Sequence, residues 1–337
     1  MAGLGARGTW AISSPVVRVI TDLSSSPWPD VASAGGSDRS VLTIGAYDGV
    51  HQGHQAIIAQ VRRGAAELDA RSVVVTFDRH PASIVRPESA PNLLTDLDQK
   101  LELLAATGID ATVLVRFDEA QAGEEPQSFV DRVLVGCLAA QRIVVGDDFH
   151  FGSHRQGNVS LLRELGIQHD FDVEPLELLA RQDGVDEPLS STAIRRAMAG
   201  GQVELAASML GRPFQARGVV VHGDQRGRLL GFPTANVEVP NVICLPADGV
   251  YAGWYLTPEG TRHPCAINLG RRPTFYEHAD HSLLEAHLID FDGDLYEQKA
   301  RVEFTHFLRS ERKFEGIEAL VAQLNHDVEH ARDVLDA

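Results

Sequence analysis

From Gly45 to His54 the chain reads Gly-Ala-Tyr-Asp-Gly-Val-His-Gln-Gly-His. His51 and His54, three residues apart, carry imidazoles that can be protonated near neutral pH. Gly45 and Gly53, with Gly49 and Asp48 between them, let backbone N–H groups approach a ligand closely. A helical pattern follows at once, and a helix N-terminus is a phosphate site. Together these groups suit the stabilisation of charge on a phosphorus centre and its leaving pyrophosphate. The same histidines could simply cap the helix. HxxH pairs also bind metals, but no cysteine or third histidine lies close by to complete a ligand set. Ser191, Thr192 and Arg195, in the string Ser190-Ser191-Thr192-Ala193-Ile194-Arg195, read either as a plain N-cap or as hydroxyls and a guanidinium that clamp a triphosphate.

A second group lies further on. His222-Gly223-Asp224-Gln225-Arg226-Gly227-Arg228-Leu229-Leu230-Gly231 follows a strand-like run and leads into Phe232-Pro233-Thr234-Ala235-Asn236. Gly223, Gly227 and Gly231 with Arg226 and Arg228 can wrap phosphates through amides and guanidinium groups. Thr234 and Asn236 face the same side if extended, where they could hold Mg²⁺ together with phosphate oxygens. Glu285 sits in the apolar run Ser-Leu-Leu-Glu-Ala-His-Leu; it is either a satisfied strand residue or a general base for a substrate hydroxyl. Between the two groups, Val145-Gly146-Asp147-Asp148-Phe149-His150-Phe151-Gly152, followed by Arg155, reads as a planar-ligand site or as a capped turn.

The elements that must position these residues are legible in the hydrophobic pattern. From Val41 to about Leu179, short β-branched runs (41–45, 71–77, 111–117, 142–148) alternate with amphipathic stretches. Ile57, Ile58, Val61, Ala65 and Leu68 share one helical face. Thr95 with Asp98 resembles a capping box, and Gly108 marks a helix stop. Such alternation predicts a parallel sheet, whose ligands bind at the carboxyl ends of its strands. After helical segments at 192–200 and 203–210, the pattern from Gln215 to Leu308 becomes a series of turn-separated strands that suits a small antiparallel barrel. A helix with Ile317, Leu320, Val321, Leu324 and Val328 on one face closes the chain. The change near 201–214 divides the chain into 31–205 and 206–337, after a loose leader over 1–30.

Composition narrows the functions. The 337 residues carry 30 Lys+Arg against 47 Asp+Glu, a net charge of −17. That balance opposes nucleic-acid binding and an electrostatic membrane anchor. Only Lys100, Lys299 and Lys313 are lysines, none after a glycine, which excludes a Walker A loop. Arginine, histidine, backbone amides and Mg²⁺ are left to bind phosphate. The acidity is unevenly spread, for residues 215–236 hold three arginines against one aspartate. Three scattered cysteines give neither a disulfide framework nor a metal pair, and no signal peptide or long apolar run is present. A cytoplasmic protein is expected, monomeric or weakly homo-oligomeric.

From about residue 35 to 335 the chain resembles the bacterial bifunctional riboflavin kinase/FAD synthetases. The matching pieces are GAYDGVHQGH, VVVTFDRHP, VVGDDFHFG, LSSTAIR, HGDQRGRLLGFPTANV, DGVYAGW, INLGRRPTF, LEAHLIDFDGDLY and LRSERKFEGIEAL. The resemblance implies an α/β chain: a Rossmann-like nucleotidyltransferase domain that makes FAD from FMN and ATP, then a flavokinase barrel with a C-terminal helix that makes FMN from riboflavin and ATP. It implies ATP with Mg²⁺ as co-substrate and no tightly bound prosthetic group. It assigns Thr234 and Asn236 to Mg-ATP, Glu285 to deprotonation of the ribityl 5′-hydroxyl, and His51, His54, Ser191, Thr192 and Arg195 to ATP in the transferase. His80, Pro81, Asp148, Phe149, Arg155 and Arg309 are the expected flavin neighbours. Two places depart from the family's usual pattern: Ala46-Tyr47 stands for Asn-Phe, and Arg79-His80-Pro81 for Pro-His-Pro.

Overall fold

A computed structural model of the chain describes residues 17–24, 38–177, 179–181, 183–223, 226–271 and 282–336, without the side chains of Arg226, Arg271, Ser282 and Leu283. Two compact units divide between Ser191 and Thr192.

The first unit is a six-stranded sheet in the order β1-β4-β3-β2-β5-β8. Its strands are β1 (Arg18–Ile20), β2 (Ser40–Ile44), β3 (Arg71–Phe77), β4 (Ala111–Val115), β5 (Ala140–Gly146) and β8 (Asp172–Leu176), all parallel. A two-stranded ribbon, β6 (His150–Phe151) and β7 (Gly157–Asn158), follows β5. Every residue of β2 is buried, as a strand covered on both faces requires. Helix α1 (Gln52–Glu67) covers the sheet with Ile58, Val61 and Ala65. Each large side chain so buried contributes about 1.5–3 kcal/mol.

Two local expectations change. Residues 18–20, placed by sequence in the loose leader, form edge strand β1, because Ile20 buries against the sheet core and the run pairs with Ala111–Val113. Helix α2 (Leu97–Ala106) is capped by Asp96, which accepts from the Gln99 amide at 2.7 Å, and not by a Thr95–Asp98 box. Thr95 is drawn away to the turn after β2. Gly108 does stand just past the end of α2, with φ +76°. The crossover from β4 to β5 runs through a helical turn at Pro126–Phe129 and a wider π-helical stretch, Val130–Cys137. Helix α3 (Val159–His169) leads to β8.

The chain leaves β2 toward β3 and β4 on one side and returns to β5 on the other. The strand order therefore reverses between β2 and β5, and the turns after these two strands flank the crevice in which such sheets bind ligands. Those turns carry the His51–His54 and Asp148–Arg155 groups.

The second unit, from Thr192 onward, holds the rest of α4 (Ser191–Ala199) and then α5 (Val203–Leu210). It continues as a closed barrel of β9 (Phe214–Val221), β10 (Ala235–Glu238), β11 (Gly249–Leu256), β12 (Arg262–Arg271), β13 (Ser282–Leu288) and β14 (Lys299–Arg309), in the order β10-β13-β12-β11-β14-β9. Closure removes the sheet edges. Phe214, Tyr251, Tyr255 and Phe304 are fully buried, and Tyr251 meets Phe304 edge-on at 5.4 Å. Helix α6 (Ile317–Leu335) packs through Val328 and Ala331 against Ala252 and Ile289.

Candidate active site

In the first unit, His51 caps α1: its Nδ1 accepts from the His54 amide at 3.3 Å. A neutral His51 therefore carries its proton on Nε2. The two rings stack at 3.6 Å. The Nδ1 of His54 is buried without a hydrogen-bond partner. Burial, followed by the charges of His51 and Lys100, pushes the His54 imidazole well below its ordinary range. The charged form of His54 is thereby disfavoured in the folded chain.

The turn is held under strain. Tyr47 and Val50 adopt φ of +52° and +40°, a conformation that a β-branched residue rarely tolerates. Tyr47 is buried, with its hydroxyl 2.7 Å from Thr43 Oγ1. The hydroxyl that distinguishes it from phenylalanine thus has a partner inside the fold. Asp48 accepts from the amides of Leu94 (2.9 Å) and Thr95 (3.2 Å) and from the Thr95 hydroxyl, while the Gly49 amide donates to Thr95 Oγ1. The Asp48 carboxylate thus anchors the turn to the loop before α2. The Gly45 amide donates to Val75 O and serves the sheet. Gly53 lies in the first turn of α1, where amides have no intrahelical acceptor. Ser191 Oγ, at the end of the first unit, donates to Asp48 O at 2.9 Å. Thr192 is exposed and Arg195 half-buried on α4, four residues after Ser191 on the same helical side.

Lys100, unremarked as a site residue in the sequence, is buried next to this turn. Its Nζ donates to Phe77 O at 2.7 Å and to Ala46 O at 3.4 Å. Burial brings its pKa down to about 8, against the opposing pull of Asp48 and Asp78. His80 accepts from the Ala82 amide through Nδ1, with Pro81 at the head of the short helix that follows. Arg79 pairs with Asp78 at 3.0 Å. After β5, Asp148 is exposed, its carbonyl accepts from His150 Nδ1, and Phe149 stacks on Phe151 at 5.5 Å. Arg155 is exposed with φ +58°. No cluster of three His, Cys, Asp or Glu side chains able to hold a metal occurs among the described residues.

In the second unit, strand register aligns three polar residues. Asn236 pairs with Glu285 across β10 and β13, and Asn268 pairs with Glu285 across β12 and β13. Directly opposed residues share a face, so the three form a row, while Leu284 and Ala286 on the other face are core. The row borders a cavity of about 990 Å³, whose apolar wall includes Val250, Ile267, Leu320, Leu324 and Val328. Thr234 and Asn236 also line a second cavity of about 330 Å³, bounded by Arg228, Phe291 and Tyr296. Asn236 Oδ1 is buried with no hydrogen-bond partner. Asn236 Oδ1 and the Thr234 hydroxyl, which line the same two cavities, are hard oxygen donors of the kind Mg²⁺ takes. A Cβ on Gly223 would lie 2.5 Å from Asn236 Nδ2, so only glycine lets the loop close over that side chain. Arg226, Gly227 and Arg228 fall in the short helix Arg226–Leu229, and Gly231 follows with φ +86°. Asp224, Gln225 and the side chain of Arg226 lie outside the described residues.

Arg309 lines the larger cavity, but its guanidinium is committed to Asp327 of α6 by contacts of 2.9 and 2.6 Å, and Asp327 also accepts from Gln323. It acts as a clamp between β14 and α6. Asn268 escaped the sequence reading, although a lone polar residue in the apolar run Cys-Ala-Ile-Asn-Leu is the same signal that marked Glu285.

Comparisons with known proteins follow the same division. A family model described as FAD synthetase matches residues 35–193, and one described as riboflavin kinase matches 210–335. A bifunctional riboflavin kinase/FMN adenylyltransferase of Pseudomonas fluorescens is 40% identical over 292 residues, 87% of this chain and 92% of that protein. One from Escherichia coli K12 is 36% identical over 318 residues, 94% of this chain and 97% of that protein. A crystal structure from Streptococcus pneumoniae, described as a macrolide-efflux protein, superposes with a TM-score of 0.78 at 28% identity, over 88% of this chain and 95% of that one. Among the described residues, no helix is long and apolar enough to cross a membrane.

Proposed function

The chain belongs to the family of bifunctional riboflavin kinase/FMN adenylyltransferases, and on that basis we propose where its two reactions take place. The protein phosphorylates riboflavin to FMN with ATP and adenylylates FMN to FAD, with release of pyrophosphate. The kinase reaction is assigned to the row of Asn236, Glu285 and Asn268. The observation that carries this assignment is that Thr234 and Asn236 border both cavities of the barrel unit, the larger with an apolar wall and the smaller with Arg228. A flavin in one and a nucleotide in the other would meet at these oxygen donors.

Glu285 takes the proton of the ribityl 5′-hydroxyl as its oxygen attacks the γ-phosphorus, and ADP leaves. Thr234 and Asn236 would hold Mg²⁺, which supplies charge neutralisation to the phosphates when bound. The Gly223–Gly231 loop, with Arg226 and Arg228, wraps the nucleotide. Apart from the base, the work is positioning and electrostatics.

The transferase is assigned to the turn at the β2/β5 switch point. The FMN phosphate attacks the α-phosphorus of ATP directly. Gly53 and the first-turn amides, Ser191, Thr192 and Arg195 cradle the triphosphate, and His51 donates through Nε2. His54, neutral beforehand, gains a reason to protonate when the anion arrives. Gly45 and Asp48 build the turn, and His80, Pro81, Asp148, Phe149 and Arg155 are placed near the flavin at the strands' carboxyl edge. Three buried cysteines outside any disulfide favour a cytoplasmic enzyme, read here as a monomer or weak homo-oligomer that binds neither nucleic acid nor membrane. Glu285→Gln should abolish FMN formation, followed by chromatography, while FAD still forms from supplied FMN. Loss of both products would overturn the assignment of separate sites.

A further inference from the structure

The geometry points to Lys100 as a positioning residue for adenylyl transfer: its ammonium bridges the carbonyl ends of two adjacent strands and so sets the His51–His54 turn against the Asp78–His80 turn. This inference rests on the assignment of the transferase to the His51–His54 turn.

Lys100 is 7% exposed, on α2, a helix that is not part of the sheet edge it serves. Its Nζ reaches Phe77 O, the last carbonyl of β3, and Ala46 O, two residues past the end of β2. A buried cation is costly unless opposite charge or hydrogen bonds compensate it. Here both are present. Asp48 belongs to the turn after β2 and Asp78 to the turn after β3, and both pull on the ammonium. Burial alone would raise the Asp78 carboxyl, but the Phe117 amide and the Arg79 guanidinium outweigh it and hold the group below its usual range. Further charged or titratable neighbours among the described residues are His54 on α1, whose charged form Lys100 disfavours, and Arg79 and His80. A small cavity of about 20 Å³ lies among Ala46, Asp48, Arg79, His80 and Lys100.

The ammonium thus acts through others. It holds Ala46, one residue before the strained Tyr47, and contributes to the potential at His54. Above pH about 8 the lysine loses its charge, and both effects weaken together. An arginine keeps its charge throughout that range.

The test follows FAD formation from FMN and FMN formation from riboflavin in the full chain, from pH 6.5 to 9.5, for the wild type, Lys100→Met and Lys100→Arg. The wild-type transferase should lose activity above pH about 8 while the kinase does not follow that limb. Lys100→Met should lower kcat for FAD formation at least about tenfold at pH 7 and abolish the alkaline limb, with kinase activity within about twofold as the control for folding. Lys100→Arg should carry the transferase plateau to higher pH. A Lys100→Met protein with wild-type kcat, or one that is slow but keeps the wild-type alkaline limb, would overturn the inference, since a merely structural lysine lowers activity without moving the pH profile. A wild-type protein that makes no FAD at any pH would overturn the assignment of the turn itself and the inference with it.

Discussion

His54 shows how far environment can move a residue from its ordinary chemistry. The sequence presents two imidazoles that ionise near neutral pH, yet burial, with lesser contributions from His51 and Lys100, disfavours the charged form of His54. Its folded pKa lies below the unfolded value of 6.5, so the unfolded chain binds the extra proton first. The folded state therefore keeps this contribution above pH 6.5 and loses stability as the pH falls below it. Thermal melts from pH 7 to 5 should show a steeper decline for the wild type than for His54→Phe, which retains the stacked ring but cannot titrate. Parallel declines in the two proteins would count against a depressed His54. Tyr47 gives the opposite lesson: the hydroxyl that distinguishes it from phenylalanine is matched by Thr43, and so is accommodated inside the fold.

At the scale of elements, the strands and the loops that cross them decide which side chains meet. Glu285 stands beside Asn236 and Asn268 because β13 lies between β10 and β12 in a register that no local pattern encodes. The glycine-rich loop then closes over Asn236, with Gly223 the point of closest approach. Gly223→Ala would force the loop or the amide to shift by several tenths of an ångström. Its expected effect is a rise of about tenfold or more in the KM for ATP of the kinase, or an equivalent fall in kcat/KM, since small misplacements near reacting groups cost on that order. FAD formation from FMN should stay within about twofold. A normal kinase KM in this variant would show that the loop does not need its present path. The Arg309–Asp327 pair belongs to the same scale, since it fixes the end of β14 to α6, which forms part of the cavity's apolar wall.

At the scale of the whole molecule, the two reactions share FMN as product and substrate, and the proposed assignment gives each its own site. On that assignment Glu285→Gln should retain the transferase and the double variant His51→Ala/His54→Ala should retain the kinase, so a mixture of the two should convert riboflavin to FAD although neither does so alone. Failure of the mixture, with each protein active in its own half-reaction, would mean that FMN does not pass through solution. The sequence by itself determined the fold class: the change from strand-helix alternation to turn-separated strands near 201–214 follows from local periodicity, which a chain cannot hide. It also determined most of the chemistry-bearing motifs, because glycines, paired histidines and an acid in an apolar strand are local signals. The tertiary structure decided what those groups are free to do. Asp48 is absorbed by the loop before α2, Asp96 replaces Thr95 as the cap, and Ile20 draws a leader segment into the sheet. Lys100 becomes a buried link between strand ends 23 and 54 residues away in sequence. Register, burial and local dielectric arise from contacts between distant segments, and they set both the partners and the protonation states that residue type alone leaves open.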